Sequence, residues 1–397
     1  MTTSLLLKDA RLVDGRGVVA ERADIRVEEA SITAIGEGAD SRADIVVDVS
    51  GRTVCPGLMN AHVHVCFDGT ADPEPAFQAE GPVETALRAL PRMAEILALG
   101  VTTVRDLGGK EEVTLTLARL VDEGLVAGPR IMAAGRVITM TGGHGHWMGI
   151  EVDGAEEARK ATRRMIKAGA RVIKVMATAG MMTSGQEAGA PQLTVAEMAT
   201  CAEEAHKAGL PVAAHVESRQ GAANAIEAGV DSIEHGHGLD DALLEQMVGE
   251  GVALVPTIAC DRAITRLGPA AGIPAFIVAD CARLAPSLEW ALGRAIELGV
   301  TIAAGNDGGA PLTHPGDIVD ELEVYTELGM APVDALASAT ANTARLFGLA
   351  DTGLLEVGHR ADLLVVTGDP LQSVGALRRP DVVIAAGRLL EPGSATA

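Results

Sequence analysis

The sequence predicts an α/β chain: a (β/α)8 barrel of the TIM type with a small β-sandwich domain formed from both chain ends. Three observations carry this expectation. Short β-branched runs recur, each followed by a longer Ala/Glu/Lys/Arg-rich segment of helical periodicity, which is the pattern of parallel strands joined by crossover helices. The strand candidates number eight over about 300 residues, the count and size of such a barrel. The two ends, residues 1–56 and 355–397, instead alternate apolar and polar residues and are broken by Gly and Asp, as antiparallel strands are.

In chain order, "LLLKDARLVDG", "ADIRVEEASITAIG" and "DIVVDVSGRTVCPG" supply the first edge of the small domain. Its other edge comes from "GLLEVGHRADLLVVTGDP" and "DVVIAAGRLL". Neither end has enough strands to be stable alone, so the two are expected to combine. Between them, residues 57–354 form the predicted barrel, with strands in "GLMNAHVHV", "VTTVRDL", "PRIMAAG", "ARVIKVMA", "PVAAHVE", "DSIEHG", "ALVPTI" and "TIAAGND". Helical stretches such as "TVAEMATCAEEAHKAG" and "DALLEQMVGEG" lie between strands and end in glycine, the expected stop.

Composition narrows the function. Hydrophobic residues make up 48% of the 397 but aromatics only 2%, so the core is aliphatic and base-stacking platforms are scarce. A net charge of −22 repels polyphosphate and anionic lipid, so neither nucleic acid nor a membrane is an expected partner. Five cysteines form no C-x-x-C pair and fit reduced thiols. The three-leucine run near the start is shorter than a signal-peptide core, and no stretch approaches about 20 apolar residues. A cytoplasmic protein is expected.

Residues able to ligate metal fall at the predicted strand ends, where barrel chemistry sits. His62 and His64 close the first strand, and at i and i+2 they point the same way. Lys174 lies in the fourth strand, His215 ends the fifth, His235 the sixth and Asp307 the eighth. Each alone has an ordinary reading: a hydrogen-bonded histidine, a helix-capping aspartate, a lysine snorkelling out of the barrel end. Six at one rim are better explained together. An ammonium cannot ligate a metal, but burial beside two dications favours the neutral amine, which can add carbon dioxide and become a bridging carbamate.

In this order, "CPGLMNAHVHV", "VIKVMATAG", "AAHVES", "SIEHGHG" and "AAGNDGG" resemble the binuclear-metal amidohydrolase superfamily. Within it the chain resembles the prolidase-like branch of metal-dependent dipeptidases and N-acyl amino acid hydrolases. "GHRADLLVVTGDP" and "SATANTARLFGL" extend the resemblance over nearly the whole chain. It implies that His62, His64 and Asp307 hold one divalent metal and His215 and His235 another, with carboxylated Lys174 and a hydroxide bridging. Zinc is the first expectation. Asp307 would be the catalytic proton carrier in the hydrolysis of an exocyclic amide in a dipeptide, Xaa-Pro or N-acyl amino acid substrate.

In the loop "TMTGGHGHWMG", His144 or His146 would contact substrate, and His237, two residues past His235, is a further candidate. Three departures bear on the substrate: Asn306-Asp307 stands for the usual Thr-Asp, Glu217 follows His215 at i+2, and "VPTIACD" lacks a tyrosine, Tyr325 lying too far along. An alternative is an imidazolonepropionase-like deaminase or cyclic-amide hydrolase, which Glu217 favours and Lys174 disfavours. A third is a non-catalytic binding protein, for which lost ligands would be expected. The expected partner is a small-molecule substrate, and the expected assembly a homo-oligomer.

Overall fold

The computed structural model describes residues 4–39 and 42–390. Near the N-terminus, β1 (Ser4–Asp14) pairs antiparallel with β2 (Gly17–Glu28), which pairs with β3 (Ser31–Ile35). β4 (Ile45–Asp48) and β5 (Thr53–Pro56) then lie parallel to successive halves of β1. Register shifts along β1 after Leu7, Ala10 and Leu12, with Asp9 at φ 65°, bend it enough to serve both partners.

A parallel set follows. β6 (Leu58–Val63), β7 (Val101–Asp106) and β8 (Arg130–Ala133) pair in sequence order. β9 (Val137–Thr139) is flanked by β10 (Gly149–Glu151) and leads through β11 (Ile173–Met176), β12 (Val212–Val216) and β13 (Ser232–His235) to β14 (Ala253–Val255). Most of these strands are buried along their whole length, as parallel strands covered by helices must be. The helix Val195–Lys207 starts where Thr194 and Glu197 form a capping box, and Asp241–Glu250 stops at Gly251 in the left-handed region (φ 73°).

Two segments differ from the sequence reading. "TIAAGND" is not a regular strand: Ile302 bridges to Leu254 and Gly308 to Val63, and Asp307 at φ 54° breaks the pleat between them. The loop after β8 is more ordered than its glycines suggest, carrying β9, a single turn His146–Met148 and β10.

The C-terminal end then returns to the N-terminal strands. β15 (Leu363–Val366) runs antiparallel to β5 and is followed by β16 (Val382–Ala385) and β17 (Arg388–Leu389). Both chain ends therefore combine along one hydrogen-bonded path, β17-β16-β15-β5-β1-β2-β3. This sheet has its own apolar cluster, drawn from both ends by Leu7, Leu12, Ile25, Leu363, Val365 and Ile384. Residues 1–3, 40, 41 and 391–397, which the sequence reading also gave to this domain, lie outside the described residues. Among the described residues no helix is long and apolar enough to cross a membrane.

Candidate active site

The parallel strands bring the predicted ligand residues together. His62 sits on β6 and His64 one residue beyond it, Lys174 on β11, His215 on β12 and His235 at the end of β13. Ring centroids are 5.5 Å apart for His62 and His64, 5.1 Å for His62 and His235, and 4.6 Å for His215 and His235. Asp307 Oδ1 lies 3.4 Å from His62 Nε2 and 3.3 Å from His64 Nε2. One ligand atom each from His62, His235 and Asp307 falls within 4.8 Å of the others. His235, its partner Thr257 and Asp307 all have positive φ (65°, 54° and 54°), strained geometry of the kind that collects at functional sites.

Within this cluster several buried atoms have no hydrogen-bond partner: Lys174 Nζ, His215 Nε2 and Asp307 Oδ1. Buried polar atoms are rarely left so, and nitrogen and carboxylate donors converging in this way fit a divalent cation. Lys174 does not snorkel, since it is 2% exposed, and burial pushes its amine down to about 8. Burial, with Lys174 nearby, lowers His62 to about 4 and holds His215 and His235 well below the usual imidazole value. Those rings are neutral, the form that ligates. Burial opposes ionisation of Asp307, but His62 and His64 outweigh it and keep the carboxylate charged.

The other ring nitrogens are tied down. His62 Nδ1 donates to Glu234 Oε2 at 2.9 Å, His64 Nδ1 to the Gly108 carbonyl at 2.9 Å, and His235 Nδ1 pairs with Thr257 Oγ1 at 2.8 Å. Such contacts aim the opposite nitrogen of each ring at a common centre.

Residues 53–390 match the sequence profile of the amidohydrolase family. The chain belongs to the amidohydrolase family. It is similar to ochratoxinase of Aspergillus niger, 29% identical with 94% of this chain and 83% of that protein aligned. It is also similar to imidazolonepropionase of Symbiobacterium thermophilum, 29% identical over 91% and 86% of the two chains. Among solved structures, a Xaa-Pro dipeptidase with methionine bound in its active site superposes with a TM-score of 0.88 at 31% identity, over 98% of this chain and all of that one. This amidohydrolase is thus a hydrolytic enzyme acting on C–N bonds, in a metal-dependent family.

Sequence reasoning missed the support beneath the ligands. Glu234, fully buried on β13 next to His235, also accepts from Arg105 Nη2 at 2.7 Å and Ser232 Oγ at 2.5 Å. Arg105, equally buried, donates through Nε to the Ala61 carbonyl at 2.7 Å. Burial would raise the Glu234 carboxyl, but Arg105 and His62 hold it below the usual carboxylate range. Charged residues inside the apolar runs "VTTVRDL" and "DSIEHG" were the available signal. In this amidohydrolase, Arg105→Met leaves that carboxylate buried and unpaired, so urea unfolding should show about 3–5 kcal/mol less stability. A loss under about 1 kcal/mol would contradict this account of the pair.

The ligand cluster opens into a cavity lined by Phe67, Trp147, Met181, Ile264, Ile277 and Cys281 among others. His144 lines it too, its ring stacked on His215 at 4.4 Å and its Nδ1 paired with Thr183 Oγ1 at 2.7 Å. His146 does not line the cavity; its Nδ1 donates to the Gly143 carbonyl at 3.0 Å. His237 is buried behind the wall, with Nε2 on Asp261 Oδ2 at 2.8 Å. Asn306 turns away from the ligands, accepting from Asn60 Nδ2 at 2.6 Å and donating to the His314 carbonyl at 3.0 Å.

Proposed function

We propose that this amidohydrolase cleaves an exocyclic amide in a substrate of the dipeptide, Xaa-Pro or N-acyl amino acid type. The observation that carries the reading is Lys174: a buried, unpartnered amine among three neutral histidines and one carboxylate. His62, His64 and Asp307 would hold one divalent metal, with zinc first in line, and His215 and His235 a second, with Lys174 carboxylated by carbon dioxide and shared between them. Bound metals lower the pKa of water and polarise the scissile carbonyl. The Asp307 carboxylate would accept a proton from the attacking water as the new C–O bond forms at the carbonyl carbon, then pass it to the leaving amine as the C–N bond breaks. His144 presents its Nε2, the nitrogen not engaged by Thr183, to the substrate carbonyl oxygen. His237 acts through Asp261, and His146 shapes the loop that carries His144.

The same reading closes the parallel strands into a (β/α)8 barrel over residues 57–354, with the irregular segment 302–308 as its eighth position. Its bridges to β14 on one side and β6 on the other support this. The sheet built from the described residues of the two chain ends is then a separate small domain. The setting is a cytoplasmic homo-oligomer acting on a small molecule, with five unpaired cysteines that suit a reducing compartment.

Likeness to an imidazolonepropionase supports a second reading, hydrolysis of a cyclic amide or deamination. The non-catalytic reading falls with membership of a family of hydrolases. A screen of the metal-loaded protein against dipeptides, Xaa-Pro peptides, N-acyl amino acids and cyclic amides tests the choice. Exocyclic amides are expected to lead in kcat/KM by at least about tenfold, which is about 1.4 kcal/mol in the barrier. A lead for cyclic amides, or ammonia released from an amino-substituted ring, would replace this reading with the second.

A further inference from the structure

Thr257 stands at the start of the helix Ile258–Ala271, where a threonine hydroxyl ordinarily accepts from one of the first helical amides, as Thr194 does from Glu197 at the start of Val195–Lys207. Thr257 makes no such bond. Its Oγ1 instead meets His235 Nδ1 at 2.8 Å, and its backbone sits in the left-handed region (φ 54°, ψ 31°), which a β-branched residue rarely adopts. The helix start is left without its own cap and the residue before it is strained, so another group has to hold both.

That group comes from a different helix. Glu321, fully buried on Ile318–Glu327, accepts from the Ile258 amide through Oε1 at 2.9 Å and from the Ala259 amide through Oε2 at 2.7 Å. These are the two amides that follow Thr257 in the chain, so anchoring them fixes the direction in which the Thr257 hydroxyl points. Burial pushes the Glu321 carboxyl up to about 8, but the role does not depend on charge, because both oxygens can accept in either protonation state.

We propose that Glu321 is a positioning residue for His235: by capping the helix in place of Thr257, it frees the Thr257 hydroxyl to hold His235 Nδ1, so that the ring presents Nε2 to the ligand cluster. The proposal rests on the metal-centre reading above and adds to it a residue that touches neither metal ligand nor cavity.

A double-mutant cycle tests it, read as the zinc affinity of the reconstituted protein against a competing chelator. Thr257→Val removes the hydroxyl, and Glu321→Gln exchanges one acceptor oxygen for a donor. Each alone should weaken zinc binding by about 10–100-fold, the usual worth of a group that orients a ligand. Because Glu321 acts through Thr257, adding Glu321→Gln to Thr257→Val should cost less than about threefold more. A residue that serves only the fold would cost as much in either background. Additive losses therefore overturn the proposal, as does a Glu321→Gln protein that binds zinc like wild type. Glu321→Asp, which keeps the carboxyl but shortens its reach, takes the place of Glu321→Gln if that variant does not fold; if neither folds, Glu321 belongs to the fold and the proposal is overturned.

If wild type binds no zinc, the metal-centre reading falls and the His235 Nδ1 proton decides this one. Its exchange with water, followed by NMR on isotope-labelled histidine, should be at least about threefold faster in Glu321→Gln, while the His62 Nδ1 proton, held by Glu234, keeps its wild-type rate. Equal acceleration at both rings, or none at His235, overturns the proposal.

Discussion

Asp307→Asn is expected to lower the single-turnover rate by at least about 10²–10⁴-fold, the usual worth of a positioned proton carrier. The exchange keeps the shape of the side chain but removes its charge and its capacity to take a proton. Asp307 is the residue to test because its Oδ1 is buried, lies 3.4 Å from His62 Nε2 and is free of any protein donor. His62 and His64 keep it in the ionised form that an acceptor needs. Metal content measured on the same sample separates loss of the proton carrier from loss of a ligand. Asn306→Thr is the control: its side chain bonds Asn60 and the His314 carbonyl, away from the cluster, and should cost far less. If Asp307→Asn turns over within about threefold of wild type with its metals in place, another group moves the proton.

Lys174→Ala carries an effect of similar size for a different reason. A lysine 2% exposed, unpartnered and set against His62, His215 and His235 is costly as an ammonium, and burial lowers its amine to about 8. As a carbamate the same side chain would offer two oxygens and a negative charge to the cluster. Truncation removes both, so turnover should fall by more than about 10²-fold and metal should be retained poorly. Acetate or propionate, small enough to enter the space left by the side chain, should restore part of the activity. Full activity of Lys174→Ala without added carboxylate would sink the carbamate and, with it, the shared geometry proposed for the two metals.

Much of the site could be read from sequence because the relevant facts are local. Histidines at i and i+2 on a strand share a face whatever surrounds them, and Lys174, His215 and His235 each lie within or at the end of a short apolar run that reads as a buried parallel strand. What stayed hidden depends on which strands meet. Arg105 and Glu234 are 129 positions apart and pair only because β7 and β13 face the same interior. The choice between His144 and His146 turns on the path of a glycine-rich loop, where Gly145 at φ 66° starts the turn that sends His146 outward. The strand read in "TIAAGND" failed at the residue that matters most, since Asp307 reaches His62 and His64 from a left-handed backbone that no propensity predicts. Glu217 was visible as a departure, but its missing donor could be seen only in three dimensions.

The metal content of the site decides whether Lys174 organises a paired centre. Wild type and Lys174→Ala are reconstituted side by side with zinc and bicarbonate and measured by elemental analysis. About two metals per wild-type chain and clearly fewer in the variant are expected. A wild-type ratio near one that does not rise with added metal, or a variant that binds as much as wild type, would rule the paired centre out.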